Sequence, residues 1–350
     1  MSVYDITKPL LFKLSPETAH SLAHRGLGVV EGTPLATLLE RSFVVEDERL
    51  AVSAFGCDFP NPVGVAAGFD KTAEVPGALR SMGFGHVEVG GVTAQAQAGN
   101  ARPRVFRLVE DRAIVNRMGL NNPGADDVGP RLAETDVAYP VGVNLGKSEG
   151  VPLDEAAKDY RYTYEQVATG GDFFVVNVSC PNSPGFRELQ SREPMADIFE
   201  TLTEAGASPL LVKLSPDLSE GAIEDALELV AEYDLDGVVA TNTTTDRPDT
   251  LSSPDRVEEG GLSGKPLEGQ ATELVRFVAE RTDVPVVGVG GVFTAADAYR
   301  KIRAGASMVQ VYTGFVYRGP TIARDINRGL VTLLERDGFD SVEDAVGVDL

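Results

Sequence analysis

Short apolar runs recur along most of the chain, separated by longer stretches in which apolar residues return every three or four positions. Eight runs read as buried strands, at residues 63–67, 85–89, 141–144, 173–177, 210–214, 237–241, 285–288 and 308–312. They are apolar at consecutive positions rather than alternate ones, as strands covered on both faces must be. The intervening 3.6-residue periodicity predicts helices at 78–82, 124–133, 152–168, 195–204, 219–233, 267–281, 294–303 and 321–335, with Asp217, Ser219 and Thr294 as candidate N-caps. Eight strand–helix alternations predict an α/β fold, a (β/α)₈ TIM barrel, with a doubly wound sheet as the alternative. The second strand is followed by a long Gly/Pro/Asn/Arg-rich excursion, residues 90–122, and runs at 104–108 and 113–115 predict a hairpin near the barrel mouth.

The first forty or so residues stand outside this alternation. Ser15-Pro16-Glu17-Thr18 reads as a helix start, and Leu22, Ala23, Leu27, Val29 and Val30 follow as a rough apolar stripe. Two short helices are expected here. Either they close the barrel's bottom, or they form a small apolar lid or membrane-surface element.

Polar chemistry gathers where the apolar runs stop. Strand ends carry Ala67-Gly68-Phe69-Asp70-Lys71, Asn144, Asn177, Lys213, Thr241-Asn242-Thr243, Gly290-Gly291 and Tyr312-Thr313-Gly314. In parallel α/β folds that end of the sheet holds the site. The last two ends suit a phosphate cradle, and loops after strands seven and eight of barrels commonly bind phosphate. The amides Asn116, Asn144, Asn177, Asn182 and Asn242 each offer a donor and an acceptor, which suits a planar heterocycle with carbonyl and N–H edges. Lys71 and Lys213 place positive charge beside ring atoms or a carboxylate, or else form salt bridges at the mouth. Cys180, just past the fourth strand in Val178-Ser179-Cys180-Pro181-Asn182, reads as a nucleophile or a general base, because a thiol titrates near ~8.5. The histidines His20, His24 and His86 all lie early in the chain, which argues against a Cys–His nucleophile pair.

Composition narrows the classes. The net charge of −22 and pI near 4.5 repel nucleic-acid phosphates, and the acidic residues spread along the whole chain. Such a surface is hydrated and self-repelling until salt screens it, and a halophilic source is expected. Two cysteines, Cys57 and Cys180, allow one disulfide or two free thiols, and free thiols in a reducing compartment are the expectation; with three histidines and no Cys-x-x-Cys pair no metal site is expected. No apolar run reaches the ~18–20 residues of a membrane span, and no signal-peptide pattern opens the chain, so a protein kept inside the cell is expected.

Taken together, the segments 66–71, 99–104, 116–122, 177–185, 241–244, 260–267, 288–291 and 310–320 resemble the dihydroorotate dehydrogenases, FMN-containing barrels of pyrimidine synthesis, and most closely their quinone-using class 2. The resemblance extends to Pro16-Glu17-Thr18-Ala19-His20. It implies oxidation of dihydroorotate to orotate, with FMN as hydride acceptor and a membrane quinone as final acceptor. A class 1-like enzyme using fumarate or NAD is the alternative. It implies FMN contacts at Ala67, Gly68, Gly91, Asn144, Asn177, Lys213, Thr241, Gly264, Gly291, Tyr312 and Thr313. Substrate contacts are implied at Lys71, Asn116, Arg117, Met118, Gly119, Leu120, Asn177, Asn182, Asn242 and Thr243. Cys180 matches the base that removes the C5 proton, and Arg107 an arginine beside the quinone tunnel. On this resemblance residues 1–42 form a helical quinone and membrane lid, residues 43–350 an FMN-binding barrel, and the protein sits peripherally on the cytoplasmic side of the cell membrane. Two departures stand out. Class 2 members carry serine as the base, where this chain has Cys180, and bacterial relatives often place threonine at Gly91.

Overall fold

The computed structural model describes residues 3–179 and 188–350. Three helices come first, α1 (Val3–Leu11), α2 (Pro16–Val30) and α3 (Pro34–Phe43), then an antiparallel hairpin of β1 (Val52–Ala54) and β2 (Cys57–Phe59). The alternating part follows: β3 (Val63–Val65), α4 (Pro76–Ser81), β4 (His86–Val92), β5 (Val105–Leu108), β6 (Ala113–Asn116), α5 (Ala125–Ala133), β7 (Val141–Leu145), α6 (Ala156–Val167) and β8 (Phe173–Asn177). It continues with α7 (Arg192–Glu204), β9 (Leu210–Leu214), α8 (Glu220–Glu232), β10 (Gly237–Ala240), β11 (Gly261–Gly264), α9 (Glu268–Ala279), β12 (Val286–Val289), α10 (Ala295–Arg303), β13 (Ala306–Val311), α11 (Thr313–Arg318) and α12 (Ile322–Asp337).

Eight strands close into a parallel barrel in the order β3-β4-β7-β8-β9-β10-β12-β13, with Val309 of β13 paired to Val63 of β3. Each predicted strand run is one of these staves. Their valines and leucines are buried on both faces, at about 1.5–3 kcal/mol per fully buried aliphatic side chain. Predicted caps hold at Ser219 and at Thr294, which forms a full capping box with Asp297. Asp217 caps no helix; its carboxylate accepts from Thr245 N and the hydroxyls of Thr244 and Thr245, tying two loops of the mouth together.

The barrel's two ends are closed differently. At the bottom the β1–β2 hairpin inserts Phe59, whose ring packs edge-on against Phe55, His86 and Phe173. Gly64 makes room for this plug: a Cβ there would lie 2.1 Å from the His86 ring. Burial pushes His86 down to about 4, so the ring is neutral.

The N-terminal helices number three, not the two expected, and they lie at the mouth rather than the bottom. Gly32-Thr33-Pro34 ends one helix and starts the next, so the apolar stripe from Leu22 to Val30 lies wholly on α2 and a third helix follows it. On α1, Tyr4 Oη donates to Val316 O of α11 (2.5 Å) and Lys8 Nζ to Tyr317 O (3.3 Å). His20 of α2 packs edge-on against Phe69. Glu31, just past α2, accepts from Gly77 N (2.9 Å) and Ala78 N (2.6 Å) at the start of α4, where a carboxylate also meets the helix dipole favourably. The predicted hairpin is present as β5–β6, and β11 adds a third strand to it.

Candidate active site

Above the strand ends lies a cavity of about 620 Å³ that runs on beneath α1 and α2. It is one continuous space, lined by strand-end residues such as Asn144 and Lys213 and by helix residues such as Phe12, Ala23 and Leu27.

A buried carboxylate organises its floor. Glu88 sits mid-way along β4 with no solvent exposure. Its Oε1 accepts from Asn144 Nδ2 of β7 (2.6 Å) and from Lys213 Nζ of β9 (3.1 Å), and its Oε2 accepts from Gln310 Nε2 of β13 (2.8 Å). Side chains from staves on both sides of β4 meet only inside the barrel. A buried charge persists only when paired and hydrogen-bonded, and here both conditions are met. From this point the amides link onward. Asn177 Nδ2 donates to Asn144 Oδ1 (3.0 Å), and Asn242 Nδ2 donates to Asn177 Oδ1 (3.3 Å) and Ser179 Oγ (3.0 Å).

All eleven residues implied as FMN contacts line the cavity: Ala67, Gly68, Gly91, Asn144, Asn177, Lys213, Thr241, Gly264, Gly291, Tyr312 and Thr313. Thr241 Oγ1 donates to Leu214 O (3.0 Å), and Tyr312 Oη to Gly68 O (3.3 Å). Burial pushes the Tyr312 phenol up to about 12. Gly291 must be glycine: its φ is 74°, and a Cβ would lie 2.4 Å from Glu268 Cβ. That absence of a side chain bares the backbone next to Gly264 and Thr313, a cradle fit for an anionic group.

Of the residues implied as substrate contacts, Lys71, Asn116, Met118, Gly119, Leu120, Asn242 and Thr243 also line the cavity. Lys71 Nζ donates to Gly68 O (2.8 Å). Burial, reinforced by the Arg104 charge, lowers Lys71 to about 8 against the pull of Asp70 and Glu17. Arg117 is not brought in. Its guanidinium stacks on Phe106 at 4.6 Å and pairs with Glu258 (2.8 Å), fastening the 116–120 segment from outside. Cys180 and Asn182 lie outside the described residues. Ser179, the residue before Cys180, is buried among the amides.

The roof is polar where it touches the barrel. Arg107 donates to Leu11 O (3.4 Å) and to Leu14 O, and lies over the Phe12 ring at 4.6 Å. Arg104, 4 % exposed, pairs with Glu17 of α2 through Nε and Nη2, each at 3.0 Å, and donates from Nη1 to Ala98 O (2.7 Å) and Asn100 O (3.1 Å). His24 lies 3.4 Å from both Asp70 and Glu74. Burial, then the Lys71 charge, pushes His20 to about 3, leaving a neutral imidazole beside Phe69. Among the described residues no group of three or more His, Cys, Asp or Glu is arranged to hold a metal ion.

Glu88, Gln310, Ser179, Glu17 and His20 were not among the sites read from the sequence. A lone acid in the buried run His86-Val87-Glu88-Val89 was a legible signal, since such a carboxylate must have partners. The other four carry no local pattern that separates them from ordinary polar residues.

Comparison with known proteins fits this geometry. Residues 49–334 match the family model described as dihydroorotate dehydrogenase. A protein of Haloarcula marismortui, named dihydroorotate dehydrogenase (quinone), is 68% identical over 350 residues, all of both chains. Another of that name from Gloeobacter violaceus is 47% identical over 99% of both. The crystal structure of ligand-free DHODH from Eimeria tenella superposes with a TM-score of 0.84 at 37% identity, covering 94% of this chain and 98% of that one. Fold, cavity and sequence converge, and the chain belongs to the dihydroorotate dehydrogenase family.

Proposed function

We propose that this chain oxidises (S)-dihydroorotate to orotate in pyrimidine biosynthesis, with FMN as hydride acceptor and a membrane quinone as the final electron acceptor. The observation that carries the reading is the single cavity with two unlike halves: an amide-and-lysine floor at the strand ends, and a mainly apolar passage under the N-terminal helices, edged by Arg104, Arg107 and Glu17. The relatives' quinone names and the roofed passage favour quinone over fumarate or NAD.

The floor fits FMN. Glycines at 264, 290 and 291 leave backbone bare for a phosphate, and Asn144, Asn177, Lys213 and Thr241 offer donors and acceptors for an imide-edged ring. When bound there, FMN would take the hydride from C6 of dihydroorotate and hand the electrons on to the quinone. The chain's own residues do the rest. Lys71 faces the substrate carboxylate as a cation below about pH 8. Asn116, Asn242 and the backbone of 118–120 hold the pyrimidine's imide edge. Cys180, directly after Ser179, takes the C5 proton onto its thiolate, so that loss of H⁺ from C5 and hydride from C6 leaves the double bond of orotate. A thiol does this without the activation that a serine hydroxyl needs.

Residues 1–42 are proposed as the lid and residues 43–350 as the FMN barrel. Ile6, Leu10, Leu14, Leu22, Val29, Leu35 and Leu38 of the lid are exposed. The lid's four acids, Asp5, Glu17, Glu31 and Glu40, are balanced by Lys8, Lys13, Arg25 and Arg41, so the barrel carries the whole −22. A neutral apolar face on an acidic body suits peripheral docking on the cytoplasmic face of the cell membrane, with Arg107 beside the quinone path. Among the described residues no helix is long and apolar enough to cross a membrane. The test is reconstitution: protein mixed with FMN should turn yellow and bleach anaerobically on adding dihydroorotate, whereas a preparation that takes up no FMN sinks the reading.

A further inference from the structure

We infer that Glu88 is the positioning residue that fixes the donor–acceptor direction of the whole amide array at the cavity floor. The inference rests on reading that floor as the flavin and dihydroorotate site. Glu88 itself does not line the cavity, and so cannot act by touching a ligand.

An ionised carboxylate only accepts, whereas a carboxamide can present either end. Glu88 therefore forces Asn144 to turn its amino group inward, towards Oε1 (2.6 Å). The Asn144 carbonyl is thereby aimed at Asn177, whose amino group meets it at 3.0 Å. The Asn177 carbonyl is left to accept from Asn242 Nδ2 (3.3 Å), Ser179 Oγ (3.2 Å) and Ser179 N (3.3 Å). The Asn242 carbonyl then accepts from Thr243 N (2.8 Å). One carboxylate thus sets the polarity of three successive amides, from the heart of the barrel to the mouth.

Gln310 shows how strong that demand is. It gives its amino group to Glu88 (2.8 Å), and its own buried carbonyl oxygen has no partner. Turning it over would put the amino group where that oxygen now lies but point the carbonyl at a carboxylate. Glu88 is also the counter-charge of Lys213, at 3.1 Å with both side chains buried. A buried charge of one sign is tolerated when one of the other sign stands behind it, and this pair meets that condition beside the ring site.

Two substitutions separate direction from charge. Glu88→Met keeps the length and removes every acceptor. Glu88→Gln can still offer its carbonyl to Asn144 and Lys213, and Gln310, whose amino group now meets Oε2, can turn over so that its carbonyl accepts from the new amino group; direction survives and charge is lost. FMN-loaded native and variant proteins are titrated with orotate, and the midpoint potential of the bound flavin is measured. Glu88→Met is expected to bind orotate at least about tenfold more weakly, a loss of about 1.4 kcal/mol. Glu88→Gln is expected to bind it within about threefold of native, but with a raised midpoint potential, since adding electrons is easier once a nearby negative charge is gone. Native-like orotate binding in Glu88→Met, a loss in Glu88→Gln equal to that in Glu88→Met, or an unshifted potential in Glu88→Gln overturns the inference. If Glu88→Met does not fold, the Glu88→Gln pair of readings decides alone. Native protein that takes up no FMN overturns the cavity reading instead, and this inference with it.

Discussion

Glu17→Gln probes the joint between lid and barrel. The Glu17 carboxylate, 21 % exposed, meets Arg104 at 3.0 Å through two nitrogens and Arg102 at 3.3 Å. Arg104 is almost wholly buried, so a neutral partner leaves its charge poorly compensated. Breaking a fully buried pair costs about 3–5 kcal/mol; with the carboxylate one-fifth open and one hydrogen bond retained by Gln, about 1.5–2.5 kcal/mol is expected. That corresponds to roughly a 10–70-fold rise in the population with α2 swung away. The Nη1 bonds from Arg104 to Ala98 O and Asn100 O do not involve Glu17, and Asn100 N in turn donates to Met118 O (3.0 Å), so the substrate segment stays in place. Faster amide exchange along residues 16–30 and a several-fold higher KM for a long-chain quinone are expected, with the rate of flavin reduction by dihydroorotate within about twofold of native. Native exchange along α2 together with a native quinone KM would refute the reasoning.

Cys180→Ala should slow flavin reduction at neutral pH by at least about a hundredfold, the usual scale of a lost general base; an unchanged half-reaction rate removes Cys180 from the mechanism. Burial holds Lys71 at about 8, so its cation is present below that pH and lost above it. Accordingly kcat/KM for dihydroorotate should fall about tenfold per unit once the pH is above both Lys71 and the ordinary thiol value of ~8.5, where Cys180 is already ionised, and Lys71→Met should be poor throughout and lack that limb in a pH profile. Melting followed from low to molar salt should show rising stability, because a net charge of −22 repels itself until screened; a flat Tm would count against a halophilic source.

The barrel was legible because parallel strands covered on both faces leave continuous apolar runs such as Phe173–Asn177. The site was legible in outline because polar residues appear where those runs end. Other parts depend on contacts distant in sequence. The strand Gly261–Gly264 is half glycine and exists through pairing with β6, some 145 positions earlier, so no local propensity marks it. The β1–β2 hairpin turns at Phe55 and Gly56, with φ of 37° and 73°; only the glycine is a turn residue, and strands of three residues are too short for alternation to mark. Arg117 shows the converse limit. A matching segment placed it at the substrate, and only packing reveals that its charge is committed to Glu258 and its face to Phe106.

The most direct test joins the two halves of the cavity in one experiment. Anaerobic FMN-loaded protein is reduced with dihydroorotate, then mixed with a long-chain quinone, fumarate or NAD, for the full chain and for a chain lacking residues 1–42. Rapid reoxidation by quinone alone, lost in the shortened chain while reduction persists, is the expected result; reoxidation by fumarate or NAD as fast as by quinone, or quinone kinetics indifferent to the missing helices, would contradict it.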